Sequence, residues 1–319
     1  MFILSRFYIY NTGNLYINQQ IIDIDDIVNN KYGVKKIANQ IIENAYLKIN
    51  NQKALRKAER LHDCWSNIKI AKKKSTGESK LIFANSCKVR LCPCCAWRRS
   101  RKFALENMQM LKEIAGKYIF LTVTIKNVPG EQLTESLDII LTAWKRFYQR
   151  KDIKKIMLGS IRNLEITYNR KTKEFHPHLH ILIHIPASYF GNDYISQKKW
   201  STIWQECAHL EYTPIVDIRS VKAKNDKSYF EISKYVAKIS DFLLLPEKEL
   251  IDVIKILDPA LCNRRITGYT GDFRLWRKEH KLKDEISDAD SFTEGSEEWE
   301  IFCFRWIYGI SKYIRCEDF

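Results

Sequence analysis

The feature that most constrains this chain is the run FHPHLHILIHI at residues 175–185. From Leu179 onward an aliphatic residue occupies every second position, which is typical of a buried β-strand. Side chains alternate between the two faces of a strand, so His178 and His180 point the same way, with His176 in line with them. Two imidazoles on one strand face can chelate a divalent ion, whereas buried imidazoles without partners would cost free energy. The run therefore predicts a metal-binding strand, with satisfied core histidines as the alternative.

The composition narrows the class of protein. Lysine and arginine number 53 against 38 acidic residues, and the net charge of +15 favours a polyanionic partner, most often nucleic acid. No apolar run approaches the roughly 20 residues that span a bilayer, and Arg6 interrupts the short apolar start, so neither a membrane partner nor a signal peptide is expected. Nine bunched cysteines favour a bound metal in a reducing compartment over secreted disulfides. These features predict a cytoplasmic protein.

Four cysteines upstream of the histidine run have the spacing of a zinc site: Cys64, Cys87, Cys92 and Cys95. The last two form a C-x2-C knuckle, the arrangement that wraps a tetrahedral zinc ion. Cys94 is interpreted as a bystander, because adjacent residues cannot easily all point at one ion, and His62 is a substitute ligand. Ordinary buried thiols are the alternative.

Basic side chains crowd this knuckle and recur further along the chain. Such a density of positive charge suits contacts with DNA phosphates, although a solvated basic surface has the same composition. The predicted DNA-binding residues are Arg90, Arg98, Arg99, Lys102, Lys234, Arg264 and Arg265.

A carboxylate is expected next to the histidines. Residues 159–168 read as a second strand, and the polar turn 169–173 joins them to the histidine strand. Glu165 would then lie across a hairpin from His178 and His180, within reach of both. It is the predicted third ligand of a site with two histidines and one carboxylate; an exposed strand carboxylate is the alternative.

A tyrosine further on is a candidate nucleophile. Glu231 and Tyr235 are four residues apart, so on a helix they share a face, and Lys238 lies near it. A tyrosine flanked by lysines and a carboxylate can serve in phosphoryl transfer. The ordinary alternative is a surface or core tyrosine, and the assignment depends on the metal strand.

Four motifs occur in a fixed order in this chain. Over about residues 64–273 their combination resembles the rolling-circle replication initiator (Rep) proteins of small bacterial plasmids, within the HUH endonuclease superfamily. The motifs are RLCP with WRRS at 90–100, FLTVT at 120–124, HPHLH at 176–180 and KYVAK at 234–238.

The resemblance implies an α+β fold, with a central antiparallel β-sheet, flanking helices and a Cys-rich zinc-type module before it. The histidines would lie on a central strand. The expected segments are an N-terminal appendage (1–60), the Cys-rich basic module with a helix (61–116), the HUH nuclease core (117–275) and an acidic linker with a C-terminal aromatic segment (276–319).

The resemblance also implies an activity, a metal-dependent, site-specific DNA nicking and closing reaction. His178 and His180, with Glu165, would hold Mn²⁺ or Mg²⁺, and the cysteines Zn²⁺. Tyr235 would form a 5′-phosphotyrosine and leave a 3′-hydroxyl primer, and Glu231 would replace a second tyrosine. The implied partners are plasmid origin DNA, single-stranded or as an extruded hairpin, host helicase and replication machinery, and a second copy of the chain in a homo-oligomer.

Two alternatives stay open. A transposase or mobilisation relaxase of the HUH superfamily shares the histidine strand and the tyrosine. A non-catalytic, zinc-containing DNA-binding regulator would use the histidines for a structural ion and would never become covalently attached to DNA.

Overall fold

The structure, a computed structural model, describes residues 23–221, 242–282 and 298–317. In these residues nine β-strands form two antiparallel sheets, one of four strands and one of five, with helices beside them. The cysteine-rich segment precedes the five-stranded sheet in the chain. The predicted α+β class, with a cysteine module before an antiparallel sheet, is confirmed.

The strands are β1 (Asn67–Lys73), β2 (Ser79–Ala84), β3 (Lys117–Thr124), β4 (Gly159–Asn169), β5 (Glu174–Ile185), β6 (Val216–Val221), β7 (Thr267–Thr270), β8 (Trp299–Ile307) and β9 (Lys312–Cys316). The helices of the described residues are α1 (Ile24–Val28), α2 (Val34–Ile49), α3 (Gln52–Asp63), α4 (Pro93–Glu113), α5 (Leu133–Gln149), α6 (Lys151–Ile156), α7 (Gln197–Ala208), α8 (Glu247–Ala260) and α9 (Gly271–Glu279). A π-helical turn, Asn29–Gly33, joins α1 to α2.

Contacts divide the described residues into two compact units. The first consists of the described parts of Met1–Arg98, Ile239–Ile254 and Glu285–Phe319. The second consists of the described parts of Arg99–Lys238 and Lys255–Asp284. The cysteine cluster belongs to the first unit and the histidine strand to the second.

In the first unit an early and a late part of the chain share one sheet, in the order β2-β1-β8-β9. On β8, Phe304 and Trp306 are buried, whereas Ile301 and Ile307 on the opposite face are partly exposed. This alternation is what a strand with one covered face requires.

The first unit joins segments that local sequence predicts to be separate. β8 and β9 come from the segment interpreted as an acidic linker with an aromatic end, α2 comes from the predicted appendage, and α3 crosses its predicted end at residue 60. Local patterns carry no signal for a pairing such as that of Asn67 with Arg305, which are 238 residues apart. The division of the chain into the four predicted segments stays a prediction.

The second unit is built on the five-stranded sheet, in the order β6-β3-β5-β4-β7. β5 is the middle strand of the five, and it pairs with β3 on one side and with β4 on the other. Its side chains Leu179, Ile181 and Ile183 face one side of the sheet and are fully buried. The histidines face the other side.

The histidine-bearing face is covered at one end by an apolar cluster. The helices α4 and α9 contribute to it together with the strands, and burial of each large apolar side chain stabilises the fold by roughly 1.5–3 kcal/mol. The buried members are Met110, Tyr118, Phe120, Ile161, Leu182, Phe273 and Trp276. The polar end of the same face, from His180 to His176, lies beyond this cluster along β5.

In the described ranges, no helix combines the length and the apolar composition needed to traverse a lipid bilayer.

Candidate functional site

Glu165, His178 and His180 lie together on one face of the five-stranded sheet. The β4–β5 register places Glu165 directly opposite His178. The Nε2 atoms of His178 and His180 are 3.0 and 2.7 Å from the same carboxylate oxygen, Oε2 of Glu165. All three side chains are buried, and their ligand atoms lie within 4.8 Å of one another. The structure thus brings together the three predicted ligands.

The second nitrogen of each imidazole also has an oxygen neighbour. His178 Nδ1 lies 3.3 Å from the main-chain carbonyl of His176, and His180 Nδ1 lies 3.2 Å from Thr122 Oγ1. A carbonyl oxygen only accepts, so this contact favours the His178 tautomer with its proton on Nδ1 and its Nε2 directed at Glu165. Without an ion, the contact with the carboxylate would require a second proton on this buried ring. A divalent cation between the three ligand atoms removes that requirement, so the residues fit a metal.

Glu165 is held in its ionised form. Burial alone would raise the pKa of this carboxyl, but the hydrogen-bond and electrostatic interactions with His178 and His180 outweigh burial and hold the pKa well below its usual range. A buried carboxylate with two imidazoles is the donor set that divalent first-row ions accept.

Two further histidines of β5 lie outside this group. The ring centroid of His176 is 5.3 Å from that of His178, and His176 is half-buried. Burial, followed by the charge of His178, lowers the pKa of His176. His184, which sequence reasoning did not use, forms a hydrogen bond of 2.9 Å through Nδ1 with Asp272 Oδ2 at the start of α9. Its position beside the apolar cluster indicates a structural role.

The four predicted cysteine ligands also converge, in the first unit. The Sγ–Sγ distances are 3.6 Å for Cys64–Cys92, Cys64–Cys95 and Cys87–Cys95, and all four residues are buried. Tetrahedral Zn²⁺ with Zn–S bonds of about 2.3 Å separates neighbouring sulfur atoms by about 3.8 Å. The arrangement therefore fits a zinc ion.

The two side chains considered as bystander and substitute are both outside the cluster. Cys94 Sγ lies 3.4 Å from the carbonyl of Lys35. His62 Nδ1 contacts Glu43 Oε1 at 2.8 Å, and its ring stacks on Tyr308. Burial opposes ionisation of Cys92, but hydrogen bonds from the surrounding thiols hold its pKa well below the usual value.

The predicted DNA-binding residues differ in how far their side chains are exposed and engaged with other parts of the protein. Arg98 is only 5% exposed, and its Nη1 donates to the carbonyl of Ala84. Arg264 forms a bidentate ion pair with Asp138. Both are therefore engaged within the protein in the absence of DNA, and their contacts with DNA stay predictions. Lys102 Nζ lies 3.8 Å from Glu106 Oε1. The side chains of Arg90 and Arg99 are half-buried and that of Arg265 is exposed.

The predicted nucleophile region is not described. Tyr235, Glu231, Lys238 and Lys234 lie outside the described residues, in the range 222–241. Their roles stay predictions.

Some side chains that complete the two sites have no sequence signal of their own. Thr122 lies opposite His180 on β3, and Asn39 of α2 donates from Nδ2 to Cys92 Sγ at 3.3 Å. Thr122 belongs to the FLTVT motif, yet only the pairing of β3 with β5 gives its hydroxyl a partner.

Comparison with known proteins identifies the family. The family described as "Replication protein" matches residues 78–314. A "Protein rep" of Bacillus amyloliquefaciens is 36% identical over 288 residues, covering 81% of this chain and 85% of that protein. Another from a Bacillus species is 39% identical, covering 74% and 84%, and one from Staphylococcus aureus is 34% identical, covering 69% and 97%. No solved structure matches. The predicted resemblance is thereby confirmed, and the chain belongs to the replication protein (Rep) family of rolling-circle initiators.

Proposed function

We propose that this protein initiates rolling-circle replication of a plasmid by nicking origin DNA with a tyrosine nucleophile, as an HUH endonuclease. The observation that carries the proposal is the convergence of His178 and His180, on the middle strand β5, with Glu165 on the neighbouring strand β4. Family membership supports the replication role, and the net charge of +15 suits a DNA substrate.

The three residues would hold Mn²⁺ or Mg²⁺, and the four cysteines Zn²⁺. When bound, the first ion supplies positive charge to polarise the scissile phosphate and to offset the charge that develops in the transition state. Glu165 and the two imidazoles fix its position, because the neighbouring β4 and β5 hold their ligand atoms at defined separations.

Tyr235 would attack the scissile phosphorus in line. The phenol loses its proton as a bond forms between its oxygen and phosphorus, the bond to the 3′-oxygen breaks, and the leaving 3′-oxygen takes up a proton. The products are a 5′-phosphotyrosine and a 3′-hydroxyl primer, and the covalent link conserves the phosphodiester for rejoining. Lys234 and Lys238 would bind the phosphate, and Glu231 would deprotonate a water at termination.

The substrate would be single-stranded or extruded origin DNA in the cytoplasm, with host helicase acting next. A homo-oligomer is compatible with this role. The exposed Arg265 is a candidate phosphate contact among the described residues.

A nicking reaction tests the proposal. Origin oligonucleotides labelled at the 5′ or the 3′ end are incubated with the protein, with Mn²⁺ or with chelator, and resolved on a denaturing protein gel. We expect a metal-dependent protein band that carries only the 3′ label. Tight binding without any adduct, on several candidate origins, would instead support the non-catalytic regulator.

Replacing Glu231 by Ala should separate nicking and joining from the hydrolytic release of the enzyme at termination. We expect nicking and joining to persist while hydrolytic release at termination slows about 10²- to 10⁴-fold, the usual contribution of a general base. Quantifying released enzyme against covalent adduct over time measures this. Tyr235→Phe is the control, since it should lose both nicking and release. Unchanged release in Glu231→Ala would contradict the role assigned to Glu231.

Replacing Thr122 by Val should weaken metal binding without changing a ligand. The variant loses the hydroxyl that contacts His180 Nδ1, and such supporting hydrogen bonds typically contribute 10- to 100-fold in metal affinity. Calorimetric titration with Mn²⁺ measures it. Thr124→Val is the matched control on β3, because its hydroxyl donates to the carbonyl of Ile215 instead. Equal affinity in both variants would contradict the orienting role.

A further inference from the structure

The side chain of Lys36 occupies an unusual position for a lysine. It is fully buried on α2, and its Nζ donates at 2.6 Å to the carbonyl oxygens of both His62 and Cys64. It also lies 3.0 Å from the hydroxyl of Tyr308. Throughout the described ranges, no carboxylate lies within ion-pair distance of this ammonium. Carbonyls satisfy its hydrogen bonds but do not balance its charge.

A buried ammonium without a counter-charge is costly, and a nearby negative group is expected. The group next to it is the cysteine cluster, since the carbonyl it binds belongs to Cys64. With four neutral thiols, Lys36 would be left with the carboxylate of Glu43 on the same helix, which acts only from beyond ion-pair distance and contacts His62 instead. Four thiolates around one divalent ion carry two net negative charges, and a single buried ammonium offsets half of that.

Asn39 connects the same lysine to a sulfur atom. The Oδ1 atom of this fully buried amide accepts from Lys36 Nζ at 3.3 Å, and its Nδ2 donates to Cys92 Sγ at 3.3 Å. The lysine fixes this orientation, because an ammonium can only donate and must face the amide oxygen. The amide therefore presents N–H to sulfur, which suits a thiolate.

Main-chain N–H groups point at the sulfur atoms as well. The N–H of Cys95 donates to Cys92 Sγ at 3.5 Å, and the N–H of Cys87 donates to Cys64 Sγ at 3.4 Å. Cys92 therefore receives two N–H groups, one from the knuckle and one from α2. Donors arranged in this way stabilise ionised sulfur.

We propose that Lys36 is the counter-charge of a metal-loaded four-thiolate centre and that Asn39 is its outer hydrogen-bond donor, so that α2 is part of this metal centre. The inference rests on the zinc site of the proposed function. Lys36, Asn39 and Cys64 all precede residues 78–314, the part matched by the family. The centre would therefore be completed by an N-terminal segment outside that match.

The test compares zinc affinity and metal-dependent stability in the full-length protein. Zn²⁺ is titrated against a competing chelator for wild type, Lys36→Met and Asn39→Asp. Lys48→Met is the matched control, because Lys48 lies on the same helix but is exposed and paired with Glu247. We expect the first two variants to bind Zn²⁺ about 10- to 100-fold more weakly and the control to match wild type.

Thermal unfolding with Zn²⁺ and with chelator separates the counter-charge from a merely structural lysine. If Lys36 acts through the metal centre, the melting-temperature gain on metal loading shrinks in Lys36→Met. A structural lysine would lower both melting temperatures equally and leave the gain unchanged, which would overturn the inference. Asn39→Asp, of nearly equal volume, keeps the test valid if Lys36→Met does not fold. Wild-type protein that takes up no Zn²⁺ would remove the metal site itself, independently of DNA nicking.

Discussion

A Tyr235→Phe variant is expected to form no covalent adduct with origin DNA. The change removes only the phenolic oxygen that would bond to phosphorus, and loss of a nucleophile typically slows a reaction by at least roughly a thousandfold. DNA affinity should stay near that of wild type, because phosphate contacts come from cationic side chains. The measurement is the 3′-labelled protein band on a denaturing gel, alongside a filter-binding titration at fixed salt.

Tyr229→Phe is the matched control for this experiment. Tyr229 lies six residues earlier in the same stretch and should be dispensable for attachment. An adduct that persists in Tyr235→Phe but disappears in Tyr229→Phe would move the nucleophile. Loss of the band in both variants, with DNA binding also lost, would indicate a folding defect instead and is checked by circular dichroism.

The convergence of Glu165, His178 and His180 was predictable because it depends on local sequence. Strand periodicity places His178 and His180 on one face, and a short polar turn brings Glu165 back beside them. The register needed for this, Glu165 opposite His178, follows from the hairpin and is the one observed. The cysteine cluster was predictable for a similar reason, since two of its members form a local knuckle.

The parts that local sequence could not give depend on contacts between distant segments. Tyr313 of β9 receives a hydrogen bond from the side chain of Asn29 at a separation of 284 residues, and no periodicity encodes such a neighbour. The strand character of β8 did have a signal, because Phe304 and Trp306 alternate with Cys303 and Arg305. The adjoining acidic run, which suggests a linker, obscured it.

The structure shows that some of the predicted DNA-binding arginines have partners within the protein, which their positive charge in the sequence does not reveal. Arg264 satisfies its guanidinium with Asp138, and the hydrogen bond from Arg264 lowers the pKa of that carboxyl. Arg98 is buried against the carbonyl of Ala84. Composition counts charges but not their partners, so only the structure separates arginines that stabilise the fold from those that remain exposed.

Glu165→Gln is expected to weaken both metal binding and nicking strongly. The change keeps the side-chain volume but replaces the oxygen that contacts both imidazoles at 3.0 and 2.7 Å with a neutral amide. Loss of an outer partner already costs 10- to 100-fold in metal affinity, so loss of a charged ligand should weaken Mn²⁺ binding by more than about a hundredfold. Nicking at limiting Mn²⁺ should fall in proportion, and calorimetry with the adduct assay measures both.

Glu174→Gln is the matched control, a carboxylate at the start of β5 whose cross-strand partner is Asn169. If Glu165→Gln binds Mn²⁺ like this control, the carboxylate is not a ligand and His178 and His180 need another partner. If metal binding falls but nicking does not, the ion is structural, and the reaction runs on Tyr235 and the lysines alone. Only a joint loss of both ties the geometry of the sheet to the chemistry of the tyrosine.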